Sequence, residues 1–157
     1  LIGKKMDKQK KELERDVKDA KIESVNDGQA IRVTFDSGIL FATGSASLSS
    51  TSQATLRKFA ANLAEHSQTD LLIVGHTDNT GSDRINDPLS YDRATSVRNF
   101  LAGQGIASSR IKVEGKGSHE PVADNSTAAG RRENRRVEVY ILPSKDMVKA
   151  AQDGTLK

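Results

Sequence analysis

The stretch DLLIVGHTDNTGSDRINDPLSYDRATSV, Asp70 to Val97, passes from an apolar run through a polar loop into a segment of helical periodicity. Asp70 to Gly75 is short, apolar and β-branched, the pattern of a buried strand. From about Pro88 to Gly103, Ala94, Val97 and Leu101 supply a buried stripe, and Gly103 with Gly105 supplies a stop. A strand that feeds a helix through a loop is a unit of layered α and β structure, and the rest of the chain reads outward from it.

Upstream, SSTSQATLRKFAANLAEH places Leu56, Phe59, Ala60 and Leu63 at i, i+3, i+4 and i+7, an amphipathic helix whose Ser50 and Gln53 have capping-box spacing. Before it, AKIESVNDGQAIRVTFD holds two alternating runs around Asn26-Asp27-Gly28, and the Asp-Gly step suits a tight hairpin turn. Gly3 to Asp19 is mostly charged, with Met6, Leu13 and Val17 as a narrow apolar stripe. It reads as an exposed helix, either a neck or a solvated terminal helix, that rests on the domain or on a partner.

Downstream, Arg110 to Glu114 alternates as a strand, residues 115–130 read as a loop, and Arg136 to Leu142 alternates as a last strand. Pro143 stops the sheet, and the tail to Lys157 reads as a short loose helix. The order strand, helix, strand, helix, strand, strand predicts an α+β sandwich, helices on a mixed four-stranded sheet, with an extra N-terminal helix and hairpin strand. The expected organisation is a charged helix over 1–20, a domain over 21–142 and a tail over 143–157.

Composition bounds the function. The 157 residues are 35% hydrophobic and 29% charged, which fits a globular domain, and no apolar run approaches the roughly 20 residues of a membrane span. With no cysteine there are no disulfides and no thiolate sites, and a net charge of +3 only permits an anionic partner. The chain begins at Leu1 without a start methionine, so it reads as a fragment or mature form.

The charged pair in the opening stretch carries the chemistry. Arg93, read as lying in the first turns of its helix, stands against the local positive field there; a residue so placed usually has another job. A guanidinium beside free helix N–H groups is a receptor for a carboxylate, and Asp78 beside it is an acceptor for an ammonium, so together they suit the zwitterionic end of an amino acid. The other reading is that Asp78 and Arg93 pair with each other and pin the loop. Asn79, Thr80 and Gly81 read as turn residues and Asn86 as a helix cap, although Thr80 and Asn86 are also possible ligand donors.

Other chemistry has weaker signals. His76 lies two residues from Asp78, but there is no nucleophile elbow, and His66, His76 and His119 are far apart, so neither a hydrolase nor a metal site is indicated. His76 reads as a strand-end residue bonded to backbone. The run GRRENRRVEV, Gly130 to Val139, has four arginines and no interleaved aromatic, so a nucleic-acid partner is not indicated. Arg131 and Arg132 read as solvated, and one of Arg135 and Arg136 as facing inward.

Asn86, Leu89, Ser90, Arg93, Ala94 and Val97 stand as N-x-x-L-S-x-x-R-A-x-x-V, preceded by G-H-T-D-N-T-G and followed by S-R-I, G-x-G, N-S-T and N-R-R-V-E. Over about Ile31 to Leu142 this resembles the OmpA-like peptidoglycan-binding domain, in particular members borne by lipoproteins. The resemblance implies a noncatalytic periplasmic module without cofactor or metal, which tethers the outer membrane to the cell wall by binding diaminopimelate of the peptide stem. Asp78 and Arg93 match the positions that hold its ammonium and carboxylate. Thr80, Asn86 and Arg135 match positions near that pocket, with backbone N–H groups around Phe41 and Ala42 as further contacts. Membrane attachment is implied only through an anchor upstream of Leu1. Wall hydrolysis, or a fold without ligand, are the alternatives.

Overall fold

The computed structural model describes residues 1–157. Helix α1 (Ile2–Asp16) is followed by a hairpin of β1 (Ala20–Val25) and β2 (Ala30–Asp36), a short helix α2 (Ser37–Leu40), α3 (Ser50–Glu65), β3 (Thr69–His76) and α4 (Asp83–Gly103). A single 3-10 turn then leads to β4 (Ile111–Gly115), α5 (Ala128–Asn134), β5 (Arg136–Pro143) and α6 (Lys145–Asp153). One mixed sheet of order β1-β2-β5-β3-β4 results, parallel only between β3 and β4. The predicted α+β architecture holds, and the hairpin strand β1 joins the four expected strands as a fifth, at the edge.

Strand alternation decides which face is packed. Val33, Val139 and Ile73 are cross-strand neighbours, as are Ile31, Ile141 and Leu71, and all are buried. These rows meet Leu56, Phe59 and Leu63 of α3 and Ala94, Val97 and Leu101 of α4 in one continuous core. The Phe35 and Phe59 rings meet edge to face at 5.5 Å. The opposite face carries the alternate residues, among them Arg32, Tyr140, Glu138 and Arg136.

Helix α4 approaches the sheet through glycines. A Cβ on Gly75 would lie 1.9 Å from the Ser90 carbonyl oxygen, and one on Gly115 would lie 2.5 Å from the Tyr91 nitrogen. Both obstacles are backbone, which cannot swing aside as a side chain can. Gly75→Ala therefore pushes α4 off the sheet and is expected to lower stability by about 1–3 kcal/mol or more, read as a lower midpoint of urea unfolding.

The thin stripe of α1 is enough to dock it: Met6, Leu13 and Val17 are at most 2% exposed, and Gln9 exchanges amide hydrogen bonds with Asn62 of α3. α1 thus rests on the domain. The tail is firmer than a loose helix, because Ser144 caps α6 at the Met147 N–H, Gly154 ends it in the left-handed region, and Met147 is buried in the common core.

Three local readings are corrected. The cap of α3 is Ser49, whose Oγ accepts from Ser52 N, rather than Ser50 with Gln53. The hairpin turn centres on Asn26 and Asp27, both at positive φ, one residue ahead of the Asp-Gly step. Helix α5 replaces part of an expected loop; its short Ala- and Arg-rich sequence has no apolar period, and its start is set by Thr127 Oγ1 accepting from Gly130 N.

Candidate functional site

Helix α4 begins at Asp83, five residues before Pro88, and this relocates the chemistry. Proline at the sixth helical position forfeits one backbone hydrogen bond, which a helix held by tertiary packing tolerates near its start. Arg93 is consequently the eleventh residue of the helix, beyond the reach of its free N–H groups. The expectation of a first-turn arginine is wrong. Asn86 is not a cap either: it lies inside the helix, and its Nδ2 donates to the carbonyls of Thr80 at 2.9 Å and Asp78 at 3.5 Å. It braces the loop between β3 and α4.

Asp78 and Arg93 do not pair with each other. Asp78 is 6% exposed; its Oδ1 accepts from the Thr80 N–H at 2.8 Å and its Oδ2 from Arg135 Nη1 at 2.5 Å. Burial works to raise the Asp78 pKa, but the Thr80 N–H and the Arg135 guanidinium outweigh it and hold the carboxyl below its ordinary value. Arg135 remains partly exposed, with 40% of its side chain open to solvent.

Arg93 is 5% exposed and has no carboxylate partner. Its Nε donates to the Ser45 carbonyl at 2.9 Å, its Nη2 donates to the Ala42 carbonyl at 3.4 Å, and its guanidinium lies 5.1 Å from the Phe41 ring centroid. The Nη1 donors make no protein hydrogen bond and are not sealed from solvent. Burial, followed by the nearby charge of Arg135, pushes the Arg93 pKa down. A buried cation without an anion is costly, and this one keeps free donors at an opening.

The segment after α2 contributes differently from expectation. The Phe41 N–H donates to the Ser37 carbonyl at 2.9 Å, so it is unavailable, and Phe41 offers its ring to Arg93 instead. Ala42 is exposed, and Phe41 beside it bridges antiparallel to Leu48. The roles of Phe41 and Ser45 had no signal in the sequence, since nothing in their spacing shows that the segment lies against Arg93.

Behind the site is a polar layer on the outer sheet face. His76 Nε2 meets Glu138 Oε1 at 3.2 Å, and Arg136 Nε donates to Glu138 Oε2 at 2.9 Å and Nη2 to the Glu120 carbonyl at 2.9 Å. His76 is thus paired with a carboxylate rather than backbone and is 2% exposed, closed to any substrate. Of the two arginines, Arg136 is the one buried. Glu138 is lowered to about 2: burial acts in the opposite sense, and the bonds from His76 and Arg136 prevail. Because the folded-state value lies below the unfolded one, this network stabilises the fold above pH 4.5 and loses its contribution as pH falls toward about 2. Glu138→Gln is expected to make the fall in stability across that window shallower, measured by urea unfolding at successive pH values. A groove of about 680 Å³ crosses the same face and meets the Asp78 site only at Arg135.

The comparisons with known proteins agree with this architecture. Residues 40–135 match the OmpA family. The chain is 35% identical over 142 residues to the probable lipoprotein YiaD of Escherichia coli (strain K12), covering 90% of this chain and 65% of that protein. It is 39% identical over 112 residues to the peptidoglycan-binding protein ArfA of Mycobacterium tuberculosis, covering 71% of this chain and 34% of that protein. Among solved structures, the cell wall anchor of the T6SS from Pseudomonas aeruginosa superposes with a TM-score of 0.76 at 33% identity, over 85% of this chain and 96% of that one. The chain thus spans about two thirds of one curated relative and one third of the other. On its sequence and its fold, the chain belongs to the OmpA family.

Proposed function

We propose that this domain is a noncatalytic peptidoglycan-binding module of the periplasm, which grips the diaminopimelate of a peptide stem and tethers an outer-membrane-anchored protein to the cell wall. The observation that carries the reading is Arg93: a buried guanidinium with no carboxylate partner and free donors at an opening is a receptor for a ligand carboxylate. Asp78 supplies the opposite pole for the ligand ammonium, and the exposed chain at Ala42, whose carbonyl accepts from Arg93 Nη2, borders that guanidinium. Thr80 and Asn86 act by holding Asp78 and its loop.

Arg135 has a part that spacing did not reveal. Its guanidinium donates to the Asp78 carboxylate, so a ligand ammonium must share or displace it, and binding registers the difference between two ion pairs. Single stems should therefore bind weakly. Retention comes from the wall, which repeats its ligand many times. The presence of a peptidoglycan-binding protein and of a cell wall anchor among the similar proteins supports the same reading.

A hydrolase built on His76 and Asp78 has no support in the geometry, because the imidazole is sealed against Glu138 and the carboxylate is held by Thr80 and Arg135. The test is co-sedimentation of the domain with purified diaminopimelate-type wall, followed by analysis of the wall for soluble fragments. Retention without fragments supports a binding module; release of fragments, or no retention, contradicts it.

A further inference from the structure

A second constellation lies outside the proposed peptidoglycan site. Asp83 and Asp87 are four residues apart on α4 and so share one face of the helix. His119, from the loop after β4, comes up against them, its Nε2 3.1 Å from Asp87 Oδ1 and 3.9 Å from Asp83 Oδ1. The three donor atoms all lie within 4.8 Å of one another. In sequence His119 is 32 residues from Asp87, which is why the histidines showed no ligand spacing.

The loop is shaped for this approach. Gly117 has a φ of +55, and a Cβ on it would lie 2.1 Å from Asp87 Oδ1. Its N–H donates to Ser90 Oγ at 2.9 Å and its carbonyl accepts from Thr77 N at 2.8 Å, which ties the loop to α4 and to the end of β3.

Charge is left over here. Two carboxylates at i and i+4 repel, and neither pairs with a lysine or arginine; the imidazole is their only partner. The helix N-terminus accounts for Asp83, but not for an imidazole brought from another element. A comparable set elsewhere, Glu12, Glu65 and His66, differs in that only one of its acids, Glu12 at 2.8 Å, pairs with the imidazole, whereas both aspartates lie within 4 Å of His119.

We propose that Asp83, Asp87 and His119 form a binding site for a divalent transition-metal ion of the zinc type, with water in the fourth position. Tetrahedral zinc bound through nitrogen and oxygen separates its ligands by about 3.3–3.5 Å, so these exposed side chains need to shift by no more than about 1.5 Å. An imidazole with only two carboxylates disfavours calcium and magnesium, which take six or more oxygen ligands.

Such an ion would fasten the loop after β4 to the first turns of α4. Those turns also carry Asn86, which braces the Asp78 loop, and the residue after His119 is Glu120, whose carbonyl receives Arg136. The ion would thus stiffen the frame of the Asp78 loop without touching Asp78 or Arg93.

The test is calorimetric titration of zinc chloride into the metal-stripped full chain near neutral pH, with cobalt(II) absorption as a second readout. One saturable equivalent is expected in the wild type. His119→Gln and Asp87→Asn should each weaken it by more than about tenfold and abolish the tetrahedral cobalt bands, whereas His66→Gln should leave both unchanged. Absence of saturable binding to the wild type overturns the proposal, as does binding that survives His119→Gln. Wall co-sedimentation of the same variants keeps the two readings separate, because His119→Gln retains Arg93 and Asp78 intact.

Discussion

Replacing Arg93 by alanine is expected to abolish retention on diaminopimelate-type wall. The guanidinium is the one buried cation at the site without an anion, so its removal leaves the ligand carboxylate desolvated and unpaired, at a cost of about 2–5 kcal/mol, or a loss of affinity well beyond tenfold. Alanine also deletes the hydrogen bonds to the Ser45 and Ala42 carbonyls, so the loop before α3 loosens in that variant. Arg93→Lys separates the two effects: it keeps the charge and some contact with the carbonyls, but loses the planar fork that grips both carboxylate oxygens. Its binding should also fall by more than tenfold while its amide spectrum stays close to that of the wild type. A lysine variant that binds as tightly as the wild type would place the ligand elsewhere.

The second large effect is expected from Asp78. Asp78→Asn keeps the size and the acceptor for the Thr80 N–H but removes the charge that draws an ammonium; binding should fall by about 2–5 kcal/mol with the fold retained. The same substitution releases Arg135, whose guanidinium then stands near Arg93 with no carboxylate between them. The variant should therefore gain affinity for simple carboxylates as it loses affinity for the zwitterion. Acetate titrations of wild type and variant read that inversion directly. Because the Asp78 carboxyl is held below its ordinary value, wall binding by the wild type should persist as the medium is acidified into the usual carboxylate range.

Much of this was legible in the residues, and the misses have physical causes. The alternating runs at Ala30 to Asp36 and Arg136 to Leu142 gave strands at the right places, because a sheet packed on one face imposes a period of two. The start of α4 was misjudged because Pro88 looks like a helix start, whereas packing of Ser90 and Ala94 carries the helix through it. That error also misplaced the reason for Arg93, which belongs with Phe41, Ala42 and Ser45 rather than with helix N–H groups. Asp78 reads as an acceptor for an ammonium or a partner of Arg93, whereas the cation on it is Arg135, at the start of the neighbouring strand β5 and 57 residues on. No local spacing reveals a partner at that distance.

The central claim is that one zwitterionic carbon is held between Arg93 and Asp78, and titration of free diaminopimelate into the isotope-labelled domain tests it most directly. Saturable shifts should centre on Ala42, Asp78, Thr80 and the side chains of Arg93 and Arg135, and Nα-acetyl-lysine amide, which offers an ammonium and no carboxylate, should give weaker ones. Shifts that avoid these residues, or equal responses to diaminopimelate and the blocked lysine, would contradict the account.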